Sequence, residues 1–133
     1  MLEGRCECGD IRYQVADEFR YAANCHCSNC RAATGSAFKA FAGIEREKLE
    51  VVEGERGLMI VGEADENHTR CGRCGSLLFS VVREGAWVHV AMGSLADEPS
   101  IRTRFVQSSL LSARAGSTAR AYIVLPRMPV APG

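Results

Sequence analysis

The grouping of seven cysteines constrains this chain more than any other feature. They fall as two, three and two: Cys6 and Cys8, then Cys25, Cys27 and Cys30, then Cys71 and Cys74. A four-coordinate thiophilic ion takes four thiolates, and the two outer pairs together supply a full set. Three thiolates then remain in the middle, with one coordination position left over. A closed site holds a fold together, whereas an open one can do chemistry.

The outer four read as a structural zinc site. Cys71-Gly72-Arg73-Cys74-Gly75 has the form of a metal knuckle, since glycine allows the positive-φ turn that brings both sulfurs together. Cys6 and Cys8 lie between Gly4 and Gly9, where a bend can aim both side chains inward. Joining residue 6 to residue 71 would clamp the first strand onto the middle of the chain. The ion's binding free energy then becomes folding free energy. For the central three, three readings stay open. One is a catalytic zinc with an exchangeable fourth ligand. Another is a closed site completed by His26, His68 or His89. The last is a set of redox-active thiols without a stable metal.

An odd cysteine count does not suit a disulfide framework, and no signal-like run opens the chain. A reduced, cytoplasmic, metal-binding protein is expected. No apolar run approaches the length that spans a membrane, so no membrane association is expected. Sixteen basic residues balance sixteen acidic ones. A nucleic-acid-binding domain is normally strongly basic, and no such partner is expected here. Charge is nonetheless uneven: Arg102, Arg104, Arg114, Arg120 and Arg127 follow the last acid, Glu98. The simplest role for them is to neutralise the acidic front of the chain.

At 133 residues the chain reads as one domain, residues 1–133, with an irregular tail from about residue 126 marked by Pro126, Pro129 and Pro132. Ile11, Tyr13 and Val15 alternate with polar neighbours, as a half-buried strand does. Further strands are expected at Phe19–Ala23, Phe38–Ala42 (with Lys39 on the opposite face), Leu58–Val61, Leu77–Val82, Trp87–Met92, Phe105–Ser109 and Tyr122–Leu125. Ser28 to Thr34, with two alanines and a glycine just beyond, suggests one or two helical turns whose first amides favour thiolates. His68 reads as a loop residue, and His89 as packing beside Trp87. Leu58 to Val61 fits either a core or an interface between copies, so a homo-oligomer stays open. Many short strands between glycine turns argue for an all-β domain.

The motifs together resemble those of the glutathione-dependent formaldehyde-activating enzyme family. They are Gly4-Arg5-Cys6-Glu7-Cys8-Gly9, Cys25-His26-Cys27-Ser28-Asn29-Cys30-Arg31 with Gly35-Ser36, Cys71-Gly72-Arg73-Cys74-Gly75, and Gly93-Ser94-Leu95. The likeness runs from residue 4 to residue 99 and uses every cysteine. Ser94-Leu95-Ala96-Asp97 departs from the family's direct Leu-Asp, and the region from Arg104 to Gly116 lacks its histidine and tryptophan.

The resemblance implies an all-β, Mss4-like β-tent with short strands and zinc knuckles. It implies two zinc ions per chain, one structural on Cys6, Cys8, Cys71 and Cys74 and one catalytic on Cys25, Cys27 and Cys30. The implied activity is that of a carbon-sulfur lyase, condensing glutathione or a similar small thiol with formaldehyde or a related electrophile. By its chemistry Arg31 would bind a substrate carboxylate or pair with a nearby acid, and Ser36 would donate a hydrogen bond or cap a turn. The rival expectations are a non-catalytic, zinc-stabilised binding domain and a thiol redox enzyme using the central cysteines.

Overall fold

A computed structural model describes residues 1–102. The chain divides into two compact units. One comprises Met1–Tyr21 and Ala42–Ile101, and the other holds Ala22–Phe41 with Arg102. The expected strands at Phe105–Ser109 and Tyr122–Leu125, and the tail from residue 126, lie outside the described residues.

Among the described residues there are nine strands: β1 (Leu2–Arg5), β2 (Arg12–Val15), β3 (Tyr21–Cys25), β4 (Lys39–Glu45), β5 (Leu49–Glu53), β6 (Leu58–Gly62), β7 (Asn67–Cys71), β8 (Leu77–Val82) and β9 (Trp87–Ala91). They form a three-stranded sheet in the order β1-β2-β5 and a six-stranded sheet in the order β3-β4-β9-β8-β7-β6. One α-helix, α1 (Ser28–Thr34), separates β3 from β4. The all-β, β-tent expectation is therefore corrected. The fold is mixed, with a helix and two open antiparallel sheets.

The helix forms for local reasons. Cys27 caps its start, Ala32 and Ala33 lose little entropy on becoming helical, and Gly35 ends it at φ 70°. The Gly35 amide donates to the Arg31 carbonyl at 2.7 Å, closing the last turn. No helical residue is buried, so the cap and the flanking chain hold these turns in place of core packing.

In the larger unit, the core gathers Ile11, Tyr13, Val15, Ile44, Leu78, Val81, Val88 and Val90, with Cys6 and Cys71 among them. Alternation sets the register. Val81 pairs with Val88 and Phe79 with Val90, while Ser80 opposite His89 and Val82 opposite Trp87 lie on the other face. The loop at Ser94 is stitched to β1: Ala96 N–H donates to the Glu3 carbonyl at 2.8 Å, and Glu3 N–H to Asp97 Oδ2 at 2.8 Å. Ser94 Oγ and the Tyr13 hydroxyl lie 2.6 Å apart. The Gly93-Ser94-Leu95 motif thus has a structural role here.

Three local readings change. His68 is on a strand, β7, and its Nδ1 shares a 2.7 Å hydrogen bond with Ser80. Lys39 belongs to the buried face of β4, while Phe38 is exposed. Met59, Ile60 and Val61 of β6 are roughly half exposed, so that strand is not core. Among the described residues it ends the six-stranded sheet and pairs with β7 alone.

Candidate metal centres

The larger unit brings Cys6, Cys8, Cys71 and Cys74 together, with their sulfurs all within 4.8 Å of one another. Cys6 and Cys8 Sγ are 3.6 Å apart, and Cys8 and Cys71 Sγ are 3.8 Å apart. With Zn–S bonds of about 2.3 Å, the edge of a tetrahedron is about 3.8 Å, so this donor set fits a zinc ion. No disulfide joins any cysteine.

Each knuckle is a tight turn. Gly9 N–H donates to the Cys6 carbonyl with Gly9 at φ 85°, and Gly75 N–H donates to the Cys71 carbonyl with Gly75 at φ 81°. Backbone amides then face the sulfurs. Ile11 N–H donates to Cys6 Sγ at 3.3 Å, and the Arg73 and Cys74 amides both reach Cys71 Sγ at 3.4 Å. Ser76 ties the knuckles together, accepting from the Glu7 amide at 2.9 Å and lying 3.1 Å from Cys74 Sγ. Arg73 and Asp10 pair across them at 3.0 Å.

Four thiols this close cannot all ionise without a cation. Their proton affinities accordingly diverge. The Ser76 hydroxyl and amide hold Cys74 down to about 6. An amide from Asp10 favours the Cys8 thiolate, but desolvation and the neighbouring sulfurs outweigh it and push Cys8 up to about 12.

The smaller unit brings Cys25, Cys27 and Cys30 together, again with sulfurs within 4.8 Å. β3 delivers Cys25, 2 % exposed, and the turn into α1 delivers Cys27 and Cys30. Cys25 and Cys27 Sγ are 3.4 Å apart. Cys27 Sγ also accepts the Cys30 amide at 3.2 Å, so one sulfur serves both as helix cap and as candidate ligand. Its hydrogen bond with Cys25, and then the charge of Lys39, hold the Cys30 thiol below its ordinary value. Sharing with Cys30 and burial raise Cys25.

Among the described residues neither sulfur group includes a histidine. His26 packs its ring 5.3 Å from Phe38, and the Nε2 of His89 lies 2.6 Å from the Tyr21 hydroxyl. Arg31 and Ser36 are both exposed near the helix. Arg31 has no ion pair among the described residues, and Ser36 N–H donates to Thr34 Oγ1 at 3.1 Å. Sequence reasoning missed Lys39, a lysine 3 % exposed in the same unit as the three thiols. The apolar neighbours Phe38, Ala40 and Phe41 were the available signal, since a lysine within such a run has little water to reach.

The family model for glutathione-dependent formaldehyde-activating enzymes matches residues 1–108. The chain belongs to that family. It is similar to a putative glutathione-dependent formaldehyde-activating enzyme of Halomonas elongata, at 33 % identity over 87 residues. That alignment covers 59 % of this chain and 55 % of the relative, so the chain spans about half the length of the curated protein it matches. The fold is similar to the crystal structure of a Rhodobacter sphaeroides protein, with TM-score 0.61 and 24 % identity, covering 74 % of this chain and 92 % of that one. Family membership and two cysteine clusters able to ligate a metal thus stand together. Among the described residues no helix is long and apolar enough to cross a membrane.

Proposed function

We propose that this chain is a zinc-dependent enzyme of carbon-sulfur lyase type, joining a small thiol such as glutathione to formaldehyde or a related small electrophile. The observation that carries this reading is a cluster of three cysteine sulfurs with no fourth protein ligand among the described residues. Cys25, Cys27 and Cys30 would hold one zinc, and Cys6, Cys8, Cys71 and Cys74 a second, structural one. A zinc ion at the three-cysteine site supplies positive charge that keeps an incoming thiol deprotonated near neutral pH.

The chain's own residues do the rest. Cys27 fixes the start of α1 through the Cys30 amide and so sets where Cys30 stands. Lys39, buried in the same unit, offsets the negative charge that three thiolates accumulate. Arg31 offers a guanidinium that reads the carboxylates of a glutathione-like thiol. Ser36 offers a hydroxyl just beyond the helix. The substrate thiolate adds to the carbonyl carbon of formaldehyde, forming the carbon-sulfur bond, and the carbonyl oxygen takes up a proton. Holding both reactants in place supplies much of the acceleration. A reducing, cytoplasmic setting suits seven cysteines without a disulfide.

Native mass spectrometry of anaerobically purified protein tests this, with and without glutathione. Two zinc ions per chain are expected, with a glutathione adduct that disappears in Cys27→Ser. Formaldehyde consumption by the same samples should follow the adduct. One zinc and no adduct would sink the thiol chemistry, leaving a zinc-stabilised binding domain or a redox role for the central thiols.

A further inference from the structure

We propose that Arg83, stacked on Tyr21 and Trp87, is a binding position for a small monocarboxylate. The proposal stands independently of the thiol chemistry above. The guanidinium carbon lies 5.6 Å from the centre of the Tyr21 ring and 5.3 Å from that of Trp87. The two rings are themselves 5.8 Å apart and tilted by only 34°, so they form a shelf. The shelf is fixed at two further points. The Tyr21 ring lies against Gly43, where a Cβ would collide with it, and its hydroxyl is 2.6 Å from His89 Nε2.

The turn that presents Arg83 is built against preference. Gly85 N–H donates to the Val82 carbonyl at 3.2 Å and Ala86 N–H to the Arg83 carbonyl at 3.1 Å, closing a four-residue loop with Arg83 at φ 54°, Glu84 at φ 56° and Gly85 at φ 87°. Three left-handed residues in succession favour glycine and asparagine, and only the third here is glycine. Arginine and glutamate carry a backbone cost there, and such cost collects where a side chain is put to use. The use follows from the stacking. A guanidinium seated against two aromatic rings keeps N–H donors that suit a planar, two-oxygen acceptor.

Those donors have no carboxylate partner among the described residues. Arg12, Arg20 and Arg73 each hold an ion pair, whereas Arg83, like Arg31, holds none among the described residues. The shelf contributes one fixed positive charge. It matches a monocarboxylate, whose apolar stem can lie along the indole, better than a phosphate dianion.

Trp87 is the only tryptophan, so its emission reports directly on this shelf. Butyrate is titrated into the zinc-loaded full chain at constant ionic strength, with chloride and inorganic phosphate as separate arms. A saturable change in emission with butyrate is expected. Binding should weaken by about tenfold or more in Arg83→Asn and less in Arg83→Lys, which keeps the charge but not the fork. Asparagine tolerates the left-handed backbone, so Arg83→Asn should melt no lower than the parent. Glu84→Gly keeps the arginine and should keep binding, which preserves the test should Arg83→Asn fail to fold. An absent or non-saturating response overturns the proposal. So does an equal response to chloride, tighter binding of phosphate, or unchanged binding in the arginine variants.

Discussion

A methyl group at Gly4 would run into the ring of Tyr13. Tyr13 is wholly buried beneath β1 and packs edge-on to Phe79 at 6.0 Å, so the ring has nowhere to go. Gly4→Ala should therefore cost about 1–3 kcal/mol, read as a lowered midpoint in urea with an unchanged slope. A change in slope with no loss of stability would refute that account. The Tyr13 hydroxyl makes a second prediction. Burial pushes its pKa up to about 12 despite the Ser94 hydrogen bond, against an ordinary value of about 10. The folded state holds the neutral phenol while the unfolded chain ionises. Stability from this group is thus fully present below about pH 10 and is lost as pH rises through about 12. Two pKa units correspond to about 3 kcal/mol. Tyr13→Phe should cost about 1 kcal/mol at neutral pH, yet show a shallower decline between pH 10 and 12. Parallel curves for the two proteins would show that Tyr13 does not govern that limb.

At the scale of the element, α1 depends on its first residue more than on its interior. Cys27 is both cap and candidate ligand, and serine can replace it in the first role only. Cys27→Ser should keep the helix and lose a metal ion. Cys27→Ala should lose the metal and about 1 kcal/mol of stability besides. Equal melting of the two variants would show that the cap contributes nothing. This helix, and the knuckles, were legible because their signals are local: a cysteine two or three residues from another, a glycine just past the turn. β7 was not legible. Its buried residues are Asn67, Thr69 and Cys71, so a polar face points inward. Thr69 Oγ1 donates to Asn67 Oδ1 at 2.8 Å, and Asn67 Nδ2 donates to the Glu63 carbonyl at 2.7 Å. A strand whose core side satisfies itself by hydrogen bonds carries no hydrophobic alternation to find. Lys39 escaped for the converse reason, as a charged side chain placed where alternation expects an apolar one.

For the whole molecule, the two cysteine groups should answer differently to substitution. Cys6 and Cys71 are each 1 % exposed and sit within the main core, so losing either opens the core and the site together. Cys71→Ser should lower the melting temperature by about 10 °C or more and release one zinc. Cys30→Ser should release the other zinc while moving the melting temperature by only a few degrees, since Cys30 is partly exposed and outside that core. The reverse order would overturn the division into structural and reactive sites. The cysteine grouping made the two clusters themselves readable from the chain alone. The count of strands, by contrast, led to an all-β reading, because one or two helical turns weighed little in the fold class beside so many short strands.

The spacing of the ligands also has a consequence for synthesis. The three central cysteines lie within six residues, so a nascent chain carries the whole set as soon as Cys30 clears the ribosome. The other set cannot assemble until Cys74 has followed Cys6 into the open, with the closure entropy of a long loop to overcome. While the stretch from Cys8 to Cys74 is being made, the chain therefore exposes Cys6 and Cys8 as an incomplete pair. With zinc as the ion proposed for this set, a shortage would leave half-made chains waiting for their second knuckle.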